Sequence, residues 1–330
     1  MKNRGWLIAL AIIVGIVLSC AILPLGGMAL LLAAGSGSTS GPLPTPDWQE
    51  QIISGSGTDR IVVITVSGAI GVDAGSDLFS DELSHGQLLS QIRQAARDPQ
   101  VKAVVLRVES PGGGVVASNE IHHELQKLRD AEKRLVISMG STAASGGYYI
   151  ATPGERIYAN PDTLTGSLGV IISLLNVEET FDNLGLRQVV FKSGELKDIG
   201  SPTRETTPEE AAIFQAIIDE AYQGFVDVIE AGRGLPRENV LEIADGRIYT
   251  GRQALELNLV DELGNLDEAI AGAQELAGLE QALVVRYRGS SSLRDLLLLR
   301  MAQSQAASDP LGLRTLIEPQ TPRLEYRMVP

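Results

Sequence analysis

The residue with the clearest chemical potential is a serine in a run of small residues at 138–151, SMGSTAASGGYYIA. The run ends a predicted apolar strand at 134–139 and begins a predicted helix at 146–152. Small residues let the backbone bend sharply and let a carbonyl group approach, and the first N–H groups of a helix can stabilise an oxyanion. Ser145 is therefore a candidate nucleophile. The alternative is an ordinary turn whose serines only cap the helix.

A serine nucleophile needs a base to remove its proton, and histidine is the usual one. The chain has three histidines, His85, His122 and His123, and all of them precede Ser145. His122 and His123 lie in a predicted helix at 118–130, largely off its apolar stripe, so we expect both to be solvated. This placement disfavours a Ser-His-Asp triad.

Lysine is the other common base for serine, but only in its neutral form, which burial and hydrogen bonds to hydroxyl groups favour. Lys197 lies in a loop at 192–201, KSGELKDIGS, after a predicted strand at 188–191. Ser167, in the run TGSLG at 165–169, is a candidate partner for its amine. The alternative interpretation of Lys197 is a solvated loop charge.

A glycine-rich stretch, SPGGG at 110–114, follows another predicted strand at 103–108. Consecutive glycines at the carboxyl end of a strand expose backbone N–H groups. Such donors can bind the oxyanion of an acyl-transfer reaction, and we expect the amides of Gly114 and Gly146 to do so. A phosphate site is disfavoured, because the stretch has neither a Walker lysine motif nor GxGxxG. We expect no metal and no cofactor.

Five segments follow one another in a defined order and spacing: LRVESPGGGVVAS (106–118), SMGSTAASGGYYIA (138–151), ANPDTLTGSLGVI (159–171), FKSGELKDIGSPTR (191–204) and ADGRIYTGRQALELNLVDELG (244–264). With them, roughly residues 59–280 resemble a bacterial signal peptide peptidase of the short SppA type. In that family a Ser/Lys dyad hydrolyses peptides on a ClpP/crotonase-like fold. The resemblance therefore implies an α/β fold of that kind, with parallel strands and surrounding helices.

The resemblance also implies roles for single residues. Ser145 would be the nucleophile, Lys197 the general base, and Ser167 the hydroxyl that orients the lysine. In this family Ser and Lys meet across protomer or repeat boundaries, and this chain has one copy of each motif, so a homo-oligomer with shared sites is implied. Glu109 departs from the pattern, in which Asn or Asp is expected before Ser-Pro-Gly-Gly.

The function that follows is a serine endopeptidase that hydrolyses peptides, in particular remnants of cleaved signal peptides. Three alternatives remain open. One is a related membrane protease that acts on membrane proteins, and another is an inactive scaffold. The third is a crotonase-like acyl-CoA enzyme, which would need neither Ser145 nor Lys197. The net charge of −14 argues against a nucleic-acid partner.

The N-terminus indicates where this chemistry takes place. Residues 6–34 contain no charged side chain, which is enough for one transmembrane helix, and Lys2 and Arg4 precede them. By the positive-inside rule, residues 1–5 are cytoplasmic and the chain after about residue 35 lies outside the cytoplasm. We favour an uncleaved anchor in the cell membrane. A cleaved signal peptide ending near Ala33-Ala34-Gly35 is the alternative.

Composition divides the rest of the chain. Residues 35–58 are rich in Gly, Ser, Pro and Thr and are predicted to be a flexible linker. Alternating strands and helices predict one α/β peptidase domain at 59–280, followed by a C-terminal strand, helix and tail at 281–330. The tail residues 322–326 either lie in a substrate groove as an extended strand or are disordered. Further strands are predicted at 61–66, 168–172 and 283–287, and further helices at 86–97 and 208–231.

Overall fold

A nine-stranded, mostly parallel sheet lies at the centre of the computed structural model, which describes residues 48–71, 83–289 and 324–328. Its strands follow the order β1-β11-β2-β3-β5-β6-β10, and β7 continues from β5 to the antiparallel β9. The strands are β1 (Gln49–Gly55), β2 (Arg60–Ser67), β3 (Val101–Ser110), β5 (Arg134–Ala144), β6 (Arg156–Ala159), β7 (Leu164–Gly166), β9 (Ile248–Thr250), β10 (Glu262–Leu263) and β11 (Leu283–Arg288).

Helices cover both faces of this sheet, which explains why its central strands are apolar runs. The helices are α1 (His85–Arg97), α2 (Val115–Asp130), α3 (Gly146–Tyr149), α4 (Glu178–Asn183), α5 (Pro208–Arg233), α6 (Arg237–Ile243), α7 (Gly251–Glu256) and α8 (Leu266–Leu276). Alternate residues of a strand point to opposite faces. Val62 and Ile64 accordingly join one core with α1, α2 and α5, whereas Ile61 and Val63 join a second core with α8.

Most elements predicted between 61 and 157 are confirmed, with small differences at their ends. The predicted helix at 208–231 is α5, and its Thr207 capping box is present. The helix ends two residues later than predicted, at Arg233, and is capped by Gly234, whose φ of 63° is the left-handed conformation that glycine adopts without strain. The predicted helix at 146–152 is shorter and is α3.

Three predictions differ from the structure. Residues 188–191 form no strand, because no segment among the described residues pairs with them and their side chains stay exposed. Of the strand predicted at 168–172, only its last two residues form a strand, β8 (Ile171–Ile172), while β7 ends before it at Gly166. Residues 49–55, placed in the linker by composition, instead form β1, which pairs with β11 at the edge of the sheet.

A second, three-stranded sheet lies beside the carboxyl ends of the central strands. It has the order β4-β12-β8, where β4 is Gly112–Gly114 and β12 is Leu324–Arg327. β12 is antiparallel to both neighbours, so this part of the tail adopts the extended form that the sequence left open.

The predicted membrane segment at 6–34 and the predicted helix near 293–301 lie outside the described residues. Within the described ranges, no helix has the length and apolar character needed to cross a bilayer.

Candidate active site

The turn between β5 and α3 places Ser145 in an unusual backbone conformation. Its φ of 54° and ψ of −116° are values that residues with a Cβ rarely adopt. The turn is held because the Ser145 amide donates to the carbonyl of Gly166 at 2.7 Å and its carbonyl accepts from Tyr149 at 2.8 Å. The residue is 1% exposed, and its hydroxyl has no hydrogen-bond partner within the described residues. A buried, unpaired hydroxyl on a strained strand-to-helix turn is typical of a catalytic serine.

Ser167 lies next to this turn. Strand β7 pairs with the end of β5, and Ala144 is opposite Gly166. Ser167 follows directly, also with a positive φ, of 51°, and its amide donates to the carbonyl of Arg247 at 2.7 Å. The structure therefore brings the predicted nucleophile and the predicted lysine-orienting serine to one place.

The two predicted oxyanion donors have different environments. The Gly114 amide donates to the carbonyl of Ile70 at 2.9 Å, so it already has a partner. A Cβ on Gly146 would lie 3.2 Å from the Gly113 amide nitrogen, which shows that Gly113 and Gly146 are close together. The glycine amide beside the catalytic turn is thus that of Gly113, a position that the sequence reasoning missed by one residue.

Ser118 of α2 packs against the same glycine. Its hydroxyl oxygen would lie 2.7 Å from a Cβ on Gly146, and it is buried without a hydrogen-bond partner in the described structure. A side chain at position 146 would therefore force the Ser118 hydroxyl and the backbone at Gly112 and Gly113 to shift.

The extended segment β12 covers β4, which consists of three glycines and which we name the glycine strand. Tyr326 is opposite Gly113 in the β4–β12 register, and a Cβ on Gly112 would collide with the Tyr326 carbonyl oxygen. The Tyr326 ring stacks on the Tyr149 ring with 5.0 Å between centroids, and its centroid lies 4.7 Å from that of the Phe225 ring. The Tyr326 hydroxyl donates to the Ala221 carbonyl at 3.0 Å. This edge of the glycine strand can therefore hold an extended peptide with a large side chain.

His122 was predicted to be solvated, and that prediction is wrong. The residue is buried, and its ring lies edge-on to Tyr149 with 5.2 Å between centroids. Burial is the main cause that lowers its pKa to about 4, and the neighbouring His123 adds to this. His122 is consequently neutral near pH 7 and belongs to the aromatic cluster under β12. His123 is exposed, as predicted.

Lys197 lies in a different environment from Ser145. It belongs to a 3-10 turn, Glu195–Asp198, in a connection at 173–206 that we name the Lys197 arm. The residue is exposed, and its amine makes no hydrogen bond or ion pair within the described residues. A single copy of the chain therefore does not pair the two members of the predicted dyad.

The Lys197 arm is unusually apolar for an exposed connection. Of sixteen exposed large apolar side chains in the described residues, eight lie in these 34 positions. Phe191 is 95% exposed and Val189 is 73% exposed. A cluster of this kind is typical of a surface that another protein covers. The eight are Leu174, Leu175, Leu184, Leu186, Val189, Val190, Phe191 and Leu196.

Glu109, the departure from the family pattern, has a structural role. Its carboxylate accepts hydrogen bonds from the amides of Ser141 at 2.8 Å and Thr142 at 3.0 Å. These contacts fix the stretch of β5 that leads to Ser145. A Cβ at position 140 would collide with this carboxylate, so a side chain there would displace Glu109 from these hydrogen bonds.

A strained, buried serine at the start of a helix, beside the amides of two glycines on an α/β sheet, defines a serine hydrolase. Comparison with known proteins identifies the family. Residues 127–280 match peptidase family S49. A putative signal peptide peptidase SppA of Enterococcus faecium is 38% identical over 245 residues, which are 74% of this chain and 71% of the relative.

Two further relatives agree with this assignment. A putative protease of Synechocystis is 47% identical over 232 residues, 67% of this chain and 80% of the relative. Protease 4 of Salmonella typhi is 38% identical over 259 residues, which are 78% of this chain but only 41% of that longer protein. The chain belongs to peptidase family S49 and is a serine protease similar to SppA.

Proposed function

We propose that this protein is a membrane-anchored endopeptidase in which Ser145 attacks the peptide carbonyl and Lys197 is the general base. The observation that carries the proposal is the Ser145 turn, because its hydroxyl is buried and unpaired beside two glycine amides. Lys197 would take the hydroxyl proton, and Ser167 would orient the amine. The Gly146 amide, with Gly113 in place of Gly114, would stabilise the oxyanion.

The dyad is proposed to form between neighbouring copies in a homo-oligomer. Two observations support this. The Lys197 amine has no partner within the described part of its own chain, and the arm that carries it has an exposed apolar surface. Burial of that surface against a second copy would also remove the lysine from water, which favours the neutral amine that a base requires.

The proposed substrates are unfolded peptides, in particular remnants of signal peptides, outside the cytoplasm. The pairing of β12 with β4 and β8 supports an extended peptide as ligand. A cleft of about 600 Å³, lined in part by Ser167, Tyr222 and Met328, adjoins the end of this segment. The membrane anchor is proposed from the charge-free residues 6–34.

Labelling with a fluorophosphonate probe tests the nucleophile. The full chain, purified in detergent, should be labelled, and Ser145→Ala should lose all of the label. Ser141→Ala is the matched control, because Ser141 is an exposed serine of the same strand. Labelling that survives in Ser145→Ala and disappears in Ser141→Ala would show that the nucleophile is misassigned.

A second experiment tests the general base. Lys197→Ala should lose peptidase activity while its circular dichroism is unchanged, whereas Lys127→Ala, which removes an exposed lysine of α2 outside the Lys197 arm, should keep its activity. More than a few per cent of wild-type activity in Lys197→Ala would exclude the lysine as base. His122 and His123 would then be the next candidates.

A further inference from the structure

An arginine cluster joins the Lys197 arm to the body of the protein. Arg204 donates to the Asp198 carboxylate at 2.9 and 3.2 Å and to the Asp198 backbone carbonyl at 3.0 Å. The same guanidinium donates to the Glu210 carboxylate at 2.9 Å. Glu210 belongs to the first turn of α5 and also accepts from the Thr207 amide at 2.9 Å. Arg204 thus connects the residue after Lys197 to the start of α5.

The other side of the 3-10 turn is held as well. The Lys192 amine donates to the Glu195 carbonyl and to the Asp198 carboxylate, each at 2.7 Å. Lys192 and Arg204 are therefore both paired with Asp198, and the side chain of Lys197 is left outside these pairs. The backbone hydrogen bonds of the turn are short-range: Lys197 donates to Gly194 and Ile199 donates to Leu196, both at 3.1 Å, and Ser201 donates to Asp198 at 3.0 Å.

Burial makes the contact with Glu210 persistent. The side chain of Glu210 is 2% exposed, and the Arg204 hydrogen bonds hold its pKa at about 2, so the carboxylate stays charged across the working pH range. A planar guanidinium can bind two carboxylates and a carbonyl at fixed angles, which an ammonium group does less well. An exposed turn that must deliver a base needs such a support, because small misplacements of a catalytic group reduce the rate strongly.

We infer that Arg204 is a positioning residue that holds the Lys197 turn in place for catalysis. This inference rests on the proposed function, in which Lys197 is the base. Arg204 does not itself contact the reacting atoms. Its loss should release the turn from α5 and lower kcat, while the glycine strand that binds the peptide, and hence KM, is unaffected.

The test combines kinetics with hydrogen exchange on the full chain. Arg204→Ala should lower kcat about 10-fold to 100-fold with KM within about twofold of wild type. The amides of Lys197, Ile199 and Ser201 should exchange faster, while those of β3 should not change. Arg204→Lys should recover part of kcat, because it restores the charge but not the fork geometry.

Arg237 supplies the matched control. It also bridges two carboxylates, those of Asp227 at 2.5 Å and Glu230 at 3.2 Å, but it lies on α6, outside the arm. Arg237→Ala should leave kcat and the exchange of the Lys197 turn unchanged. If Arg237→Ala lowers kcat as much as Arg204→Ala does, or if Arg204→Ala leaves kcat unchanged, the positioning role is wrong.

Two further variants keep the result interpretable. If Arg204→Ala fails to fold, Asp198→Asn removes one side of the cluster and should show the same separation of kcat from KM. Activity retained in Lys197→Ala would contradict the proposed base, whereas faster exchange in Arg204→Ala would still show that the arginine holds the turn. The two failures are therefore distinguishable.

Discussion

The backbone of Ser145 is under strain, and that strain is measurable by substitution. At φ 54° and ψ −116° a Cβ is unfavourable, whereas glycine adopts such a conformation easily. Ser145→Gly and Ser145→Ala both remove the nucleophile, so both should be inactive. We expect Ser145→Gly to be the more stable of the two by about 1 kcal/mol.

Urea unfolding of both variants, followed by tyrosine fluorescence, measures this difference. Ser141→Gly and Ser141→Ala are the control pair, because Ser141 has no positive φ. There the alanine variant should be at least as stable as the glycine variant. Equal stability of the two Ser145 variants would indicate that the turn relaxes when its side chain is lost.

The pKa of His122 gives a second prediction at the residue scale. It is lowered to about 4 in the folded protein, below the ordinary value of 6.5. As pH falls below about 6.5, the unfolded chain takes up a proton before the folded protein does, so stability decreases until about pH 4. The loss should be about 2 kcal/mol at about pH 5.

His122→Phe keeps an aromatic ring against Tyr149 and cannot take up a proton. The decrease in unfolding free energy from pH 8 to pH 5 should therefore be smaller in His122→Phe than in wild type. His123→Phe, on the exposed side of the same helix, should behave as wild type. An identical pH dependence in all three proteins would mean that His122 titrates normally.

The residues of the site could be located from sequence only where their signal is local. Ser145 and Ser167 follow from small-residue turns, and the structure brings both turns together. The Gly113 amide could not be separated from that of Gly114, because the choice depends on Ile70, a residue distant in sequence that binds the second amide. The burial of His122 was missed for the same reason, since segments distant from α2 form its surroundings.

At the scale of elements, the strands with continuous apolar runs were predictable and those defined by partners were not. β2, β3 and β5 are recognisable because both of their faces are buried. β1 and β12 have mixed composition and become strands only by pairing with distant segments. Residues 188–191 have the opposite property, because their apolar pattern predicts a strand for which the described part of the chain provides no partner.

The Lys197 arm gives a prediction at this scale. Phe191→Glu introduces a charge at a site that is 95% exposed in one copy. In an isolated copy it should change the unfolding free energy by no more than about 0.5 kcal/mol. If copies associate through the arm, the same charge becomes buried and should abolish the oligomer and the activity together.

Light scattering on the full chain in detergent, corrected for the micelle, measures the oligomer. Leu241→Glu is the control, because Leu241 is an exposed apolar residue of α6, outside the arm. It should leave both the mass and the activity unchanged. A Phe191→Glu protein of wild-type mass and activity would exclude the arm as the interface.

At the scale of the whole molecule, the separation of Ser145 from Lys197 becomes a question of assembly. Ser145 is buried in the body, and Lys197 is exposed on an arm with an apolar surface. A chain with one copy of each motif would form a ring if each arm contacts the next copy in a head-to-tail manner. Every site in such a ring would take its serine from one copy and its lysine from another.

Mixing two inactive variants tests this arrangement. Ser145→Ala and Lys197→Ala should each be inactive alone, and so should reassembled oligomers of either one. When the two are dissociated, mixed and reassembled, some interfaces join an intact Ser145 to an intact Lys197, and activity should return to about a quarter of the wild-type value at equal mixing, by random pairing. A wild-type sample taken through the same steps controls for losses. If the mixture stays inactive while this control recovers, Ser145 and Lys197 must come from one chain, and the arm must then fold back onto its own body when substrate binds.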